Sequence, residues 1–283
     1  MKDYSSNFKN LIIGSQQKLL SILKNPYKKV NLSFWDIKLL KHKVNDGLNK
    51  HSLLGHDTFF YNNQEYLHGI KEIFVEEIYL QKLDEFPYII DCGANIGLSI
   101  IYLKSLSENA IILAFEPDKK NFELLQKNVK SHNLKNVTIL NEAVWKNNSY
   151  VNFSNEATMG SKIGVEKSEK SNLIRANRLK DFLNVNVDFL KIDIEGAEYE
   201  VLKDIEPNLI FVKKLFLEYH GNFNQNHELV HILQILNKNN FEFYIKEAAA
   251  VHKFPFLESK DKKPYDVQLN IFCIKNDNSP ILN

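Results

Sequence analysis

The stretch Tyr88-Ile89-Ile90-Asp91-Cys92-Gly93-Ala94-Asn95-Ile96-Gly97 decides the fold. Tyr88 to Asp91 is a short apolar run with the length of a buried strand. Glycines follow at 93 and 97 with Asn95 between them, and Ile96 to Leu106 then has helical spacing. A strand that turns through glycines into a helix is the opening unit of an open α/β sheet. Glycine allows close backbone approach to a ligand, and the helix start offers free N–H groups. Asn95 tolerates left-handed backbone angles better than most residues. A dinucleotide-binding turn would read GxGxxG. That pattern is missing here, and Asp91 precedes the first glycine. A carboxylate at that point repels a pyrophosphate and suits the ammonium group of S-adenosylmethionine (SAM). The plain alternative is a tight turn after a buried strand.

Downstream, short apolar runs continue to alternate with helical patterns. Strands are expected at Ala110–Phe115, Val137–Leu140, Val187–Asp193 and Lys214–Glu218, with Phe241–Ile245 and Leu269–Ile274 closing the sheet. Helices are expected at Asp118–His132, Ala197–Ile205 and Glu228–Asn237. Continuous apolar strands with helical crossovers mean a parallel sheet covered on both faces. The polar segment Tyr150–Arg178, with Gly160 and Gly164, interrupts the rhythm and reads as a loop or hairpin near the site; Met159-Gly160-Ser161 reads as a site-facing turn.

Upstream the texture differs. Leu11, Ile12, Leu19, Leu20, Ile22 and Leu23 have helix-like spacing, broken at Asn25-Pro26. Leu32–Leu48 reads as a weaker helix or strand, and Ile70–Leu80 as an amphipathic helix. Residues 1–80 are therefore expected to be a mainly helical N-terminal cap and 81–283 the principal domain.

Composition agrees with a folded protein. Hydrophobic residues make up 44% and charged residues 25%, which excludes wholesale disorder. The net charge of +1 argues against a general nucleic-acid binder. Of the 36 basic residues only Arg175 and Arg178 are arginines, so they alone offer a guanidinium fork for an anionic group on a substrate. Cys92 and Cys273 are far apart and form no CxxC, which points to free thiols in a reducing cytoplasm. The polar start and the lack of a long apolar run predict neither a signal peptide nor a membrane span.

Further motifs fall at strand ends, where an open α/β sheet binds its ligand. Phe115-Glu116-Pro117-Asp118 places an acid where ribose hydroxyls sit, although Asp118 also reads as a helix N-cap. Asn141-Glu142-Ala143-Val144 lies where an adenine would rest. Lys191-Ile192-Asp193-Ile194-Glu195-Gly196-Ala197-Glu198 brings three carboxylates to one edge, and Glu218-Tyr219-His220 adds an acid and an imidazole.

Taken in order, the 91–97, 115–118 and 191–198 motifs make the chain similar to the FkbM family of class I SAM-dependent methyltransferases. The resemblance covers roughly residues 70 to 275 and leaves the first 65 or so outside, as a lid, a dimer contact or a docking element. It implies a Rossmann-like sheet of seven strands with the last antiparallel, and methyl transfer to hydroxyls of sugars, polysaccharide precursors or natural products. It also implies that Asp91, Gly93, Ala94, Asn95 and Gly97 hold the methionine end of SAM. Glu116, Pro117 and Asp118 would then hold the ribose side, Glu142 and Ala143 would border the adenine, and Asp193 to Glu198 the methyl-transfer site. The short helix expected after the insertion is Asn177-Arg178-Leu179-Lys180-Asp181-Phe182, whose basic residues depart from the family's acidic pattern.

An alcohol is a poor nucleophile, so a base beside it helps by roughly 10²–10⁴. Asp193, Glu195 and His220 are the candidates. Alternatively Asp193, Glu195, Glu218 and His220 bind a divalent metal that polarises the acceptor. The acceptor expected is a small molecule or glycan. A nucleic-acid methyltransferase lacks support because Asp193-Ile194-Glu195-Gly196 stands where an Asn/Asp-Pro-Pro-Tyr motif belongs. A nicotinamide oxidoreductase is disfavoured by Asp91, and a non-catalytic SAM-binding module is the remaining alternative.

Overall fold

Leu54 and Gly55 both take positive φ, +50° and +86°, the twist that joins two antiparallel strands by a two-residue turn. They connect β1 (Asn49–Leu53) to β2 (His56–Phe60). This hairpin lies in the first of two compact units, Met1–Leu80 and Gln81–Asn283. The computed structural model describes residues 25–43, 47–154, 162–163, 172–257 and 263–276. The helical spacing at 11–23 and the turn at 159–161 lie outside them.

In the first unit Asn25 caps a 3-10 helix, Pro26–Val30, by accepting from the Tyr27 N–H. Helix α1 (Phe34–His42) starts on a Ser33/Asp36 capping box. Helix α2 (Asn63–Gly69) widens into a π-helix over Ile70–Val75. The helix expected at 70–80 thus begins earlier and ends at Val75, because Glu77 turns to φ +54°. The hairpin is also absent from the sequence reading, since Leu-Gly is a weaker turn signal than Asn-Gly. Buried Tyr66 stacks on Phe60 with ring centroids 3.8 Å apart and hydrogen-bonds His51 Nδ1 at 2.7 Å.

The second unit begins with β3 (Tyr88–Cys92), α3 (Leu98–Leu106), β4 (Ile111–Phe115), α4 (Lys119–Ser131) and β5 (Val137–Leu140). Next come β6 (Ala143–Trp145), β7 (Ser149–Ser154), β8 (Lys162–Ile163) and β9 (Asn172–Arg178). The chain returns through β10 (Phe189–Ile192), α5 (Glu198–Ile205), β11 (Lys214–Gly221), α6 (Asn226–Lys238), β12 (Phe241–Glu247) and β13 (Val267–Lys275). The main sheet has seven strands in the order β12-β13-β11-β10-β3-β4-β5. β13 runs antiparallel to both its neighbours, and the ladders β11-β10-β3-β4-β5 are parallel. This is the seven-stranded Rossmann-like arrangement expected from the motifs.

Alternate residues of each strand serve the two faces. Ile90, Leu190, Ile192, Leu215 and Leu217 join one core with Val201, Leu202 and Ile205 of α5 and Ile232, Ile235 and Leu236 of α6. Each such burial stabilises by about 1.5–3 kcal/mol. Of the loop or hairpin expected at 150–178 the structure has the hairpin-like form: β7 and β9 pair antiparallel, and β6 joins β9 in a small second sheet around Ala143, Val151 and Ala176. Among the described residues, no helix is long and apolar enough to cross a membrane.

Between β3 and β10 the connections change direction, with β4 and β5 on one side and β11 on the other. The carboxyl ends at such a switch point form a crevice where ligands bind. The sequence motifs at 91–97, 193–198 and 218–220 meet there.

Candidate active site

The turn after β3 is held by its own amides. Gly93 N–H and Ala94 N–H donate to the Phe115 carbonyl at 3.0 and 2.9 Å, and Gly97 N–H donates to Ala94 at 2.8 Å. Asn95 N–H donates to Glu116 Oε2 at 2.7 Å, while Glu116 Oε1 accepts from Asp118 N–H at 2.8 Å. Glu116 therefore ties the glycine turn to the end of β4, and its burial pushes the carboxyl up to about 8. Asp118 caps α4 by accepting from Asn121 N–H at 2.8 Å. Asn95 takes φ +49°, Gly93 +90° and Gly97 +91°. A Cβ on Gly93 would lie 1.9 Å from the Asp193 carbonyl oxygen, so this glycine lets two turns of the protein approach each other. Of the turn residues, Asn95 is exposed and Gly93 half-buried, whereas Asp91, Ala94 and Gly97 are buried.

Asp91 has no exposed surface. Its Oδ2 accepts from the Ser99 hydroxyl at 2.5 Å and its Oδ1 lies 3.3 Å from Lys191 Nζ. Lys191, in the middle of an apolar strand, also donates to the Gly93 carbonyl at 2.8 Å and pairs with Asp193 Oδ2 at 3.2 Å. A buried ammonium so surrounded gives the two turns a shared cationic hub. The ammonium partner expected for Asp91 is thus supplied by the protein itself.

Asp193 and Glu195 follow β10 and remain partly exposed. Glu195 takes φ +58°, a strained angle for a residue that is neither Gly nor Asn. Three contacts hold it. Glu198, buried to 1% exposure, accepts from Ile194 N–H at 3.1 Å and from Gly196 N–H at 3.0 Å. The Tyr265 hydroxyl donates to the Glu195 carbonyl at 2.7 Å. His220, at the end of β11, places Nε2 3.6 Å from Glu195 Oε2 and 3.4 Å from Glu218 Oε1. Its Nδ1 lies 3.2 Å from Glu198 Oε1.

Burial alone would lower the His220 imidazole, but the Glu198, Glu218 and Glu195 carboxylates outweigh it and raise the group well above its ordinary 6.5. The protonated ring is thus favoured, with Nδ1 facing Glu198 and Nε2 facing Glu218 and Glu195. Burial, helped by the charges of Asp193, Glu198 and Glu218, pushes Glu195 up to about 7 even though His220 pulls it down. A carboxylate poised near neutrality and partly open to solvent is equipped to take a proton. Asp193, Glu195 and His220 also each offer an atom within 4.8 Å of the others.

The insertion residues divide. Arg178 is committed to Asp204 by a bidentate pair at 2.8 and 2.6 Å, so it is not available to a substrate anion as the composition had indicated. Arg175, well exposed, lies 3.3 Å from Glu142, which also accepts from the Asn177 side chain. Pro117 and Glu142 are half-buried, and Ala143 is buried. The sequence reading names the loop around Pro255 to Tyr265 as a substrate contact, and Tyr265 does reach the site, where it touches Glu195 and His220. Lys191 was missed as a site residue, although a lysine within an apolar strand is a usable signal.

The family model described as the methyltransferase FkbM domain matches residues 91–243, more than half of the chain. "Methyltransferase 1" of Beauveria bassiana is 27% identical over 169 residues, which cover 50% of this chain and 67% of that protein. "Methyltransferase sdnD" of Sordaria araneosa is 28% identical over 174 residues, 48% of this chain and 67% of that one. A crystal structure of the methyltransferase FkbM from Methylobacillus flagellatus aligns with a TM-score of 0.46 at 18% identity. That alignment covers 69% of this chain and only 45% of the other.

Proposed function

The chain belongs to the FkbM family of methyltransferases, and from that premise we propose that it moves a methyl group from SAM to a hydroxyl of a sugar, polysaccharide precursor or natural product, with Glu195 as the base. The observation that carries this reading is the Glu195 turn: a partly open carboxylate held in a strained backbone between Glu198, Tyr265 and His220, beside the glycine turn. The donor, when bound, supplies a sulfonium-activated methyl carbon open to in-line attack. The partly exposed acids along this edge, Asp193, Glu195 and Glu218, fit a cationic donor. Gly93, Asn95, Glu116, Pro117, Glu142 and Asp193 are the proposed contacts, with Asp91, Ala94, Gly97, Asp118 and Ala143 shaping the surface from behind.

Glu195 accepts the hydroxyl proton on its carboxylate as the oxygen attacks. His220 stays protonated, fixed by Glu198 through Nδ1, and orients Glu195 and Glu218 through Nε2. Lys191 keeps Asp193 in place without exposing its own charge. Positioning of this kind can be worth several kcal/mol. The same acids repel a phosphate backbone, which favours a small-molecule or glycan acceptor, and two free buried thiols fit a cytoplasmic setting.

The test is incubation with labelled SAM and a panel of glycans, nucleotide sugars and RNA. Label is expected on a hydroxyl-bearing glycan or natural product. Glu195→Gln is expected to lose roughly 10²–10⁴ in transfer while still binding S-adenosylhomocysteine. Label on RNA alone, or full turnover by Glu195→Gln, would refute the assignment.

A further inference from the structure

Tyr265 is separated from every motif of the site in sequence, yet it touches two of the site's groups. Its hydroxyl donates to the Glu195 carbonyl at 2.7 Å, and its ring centroid lies 4.8 Å from that of His220. The residue is only 3% exposed. Asp266 N–H donates to the Gly221 carbonyl at 2.9 Å, which fastens Tyr265 to the strand end that carries His220. A Cβ on Gly196, at φ +95°, would come within 3.3 Å of the Tyr265 hydroxyl, so the turn is fitted closely around this side chain.

The Glu195 backbone has no intrinsic reason to stay at φ +58°. Glu198 braces the amides at 194 and 196 on either side of it. Tyr265 is the side chain that holds the Glu195 carbonyl itself. Holding that carbonyl fixes the backbone angles at Glu195, and a change in them would redirect the Cα–Cβ bond that aims the carboxylate at His220 Nε2, 3.6 Å away.

We propose that Tyr265 is a positioning residue: its hydroxyl fixes the Glu195 peptide and so keeps the Glu195 carboxylate against His220. The proposal rests on the assignment of Glu195 as the base for its functional meaning, but its geometry can be tested without any acceptor. Tyr265→Phe removes the hydroxyl and keeps the ring on His220. In protein carrying ¹⁵N-labelled histidine, this variant is expected to shift the His220 Nε2 resonance and leave Nδ1, still held by Glu198, in place. In a Glu195→Ala background, which has no side-chain acceptor for Nε2, the further change Tyr265→Phe is expected to leave Nε2 where Glu195→Ala had put it. An unmoved Nε2, equal movement of both nitrogens, or an undiminished shift in the Glu195→Ala background would overturn the proposal.

A second comparison does not depend on the resonance. Glycine adopts φ near +58° freely, so Tyr265→Phe is expected to lower the melting temperature less in Glu195→Gly than in the natural sequence. An equal loss in both would overturn it. Glu195→Gln with full methyl transfer would refute the base and leave both of these results untouched.

Discussion

Gly93→Ala and Gly97→Ala form a pair whose difference measures one contact. Both glycines sit at nearly the same φ, +90° and +91°, so the backbone cost of a side chain is shared at about 1–2 kcal/mol. What the new methyl meets is different. At 93 it would lie 1.9 Å from the Asp193 carbonyl oxygen; at 97 it would lie 2.7 Å from Leu125 Cδ1. A leucine methyl can turn aside. The Asp193 carbonyl belongs to a backbone whose N–H donates to Cys92 at 3.1 Å across β3 and β10. Making room breaks that bond, at about 1 kcal/mol, and overpacks the junction, at about 1–3 kcal/mol. Gly93→Ala is therefore expected to lose about 3–6 kcal/mol, against about 1–3 kcal/mol for Gly97→Ala. The larger loss is a large share of a typical total of about 5–15 kcal/mol. Urea unfolding followed by Trp145 fluorescence measures both, since Trp145 lies in the same unit. Equal losses would refute the reasoning. So would a Gly93→Ala protein of full stability that has lost only SAM affinity, because the glycine would then serve the ligand and not the chain.

Turnover is expected to rise with pH through about 7 as Glu195 loses its proton, and to fall again when His220 deprotonates well above 6.5; a kcat/KM profile flat across neutrality would contradict both roles. The raised His220 also contributes stability that is fully present below its unfolded value near 6.5 and is lost as pH climbs through the folded value, which thermal melts between pH 6 and 10 would follow. Lys191→Met strands the charge of buried Asp91 and is expected to cost about 3–5 kcal/mol in urea unfolding, with Asp91→Asn in the same chain recovering part of it. Dialysis against EDTA is expected to leave methyl transfer unchanged, because the His220 imidazolium already supplies a cation among Glu195, Glu198 and Glu218; activity lost to EDTA and restored by Mg²⁺ would refute this.

The sheet was legible because each of its central strands is a short apolar run ending in an acid or a glycine, and such runs have few other uses. The left-handed angle at position 95 could be read from asparagine. The equal angle at Glu195 could not, since glutamate has no preference for it and only distant partners impose it. For the same reason Tyr265 could be placed near the site but not on the Glu195 turn: its hold there depends on chain returning to β11, not on its sequence neighbours. Asp91 was readable as a special carboxylate; its partner Lys191 stood out as a lysine within an apolar strand, but the pairing itself joins residues 100 apart and leaves no local mark. The hairpin at 49–60 went unread because its turn lacks the usual Asn or Asp; for 150–178 the reading offered a loop or hairpin, and what it did not offer was β6 joining β9, a pairing between distant segments.

The placement of β10 beside β3 also bears on biosynthesis. Tyr88 N–H meets the Asp188 carboxylate across 100 residues of chain, and Lys191 meets Gly93 across 98. On a ribosome adding about 5–20 residues per second, β3 has β4 and β5 to pair with long before β10 exists. For several seconds β3, an interior strand of the finished sheet, is an open edge, and the carboxylate of Asp91 lacks its Lys191 partner. Contacts so far apart along the chain make slow folding the rule. The same junction that assembles the site therefore leaves the nascent chain open to misassembly, first at β3 until β10 is made and then at β10 until β11 is made.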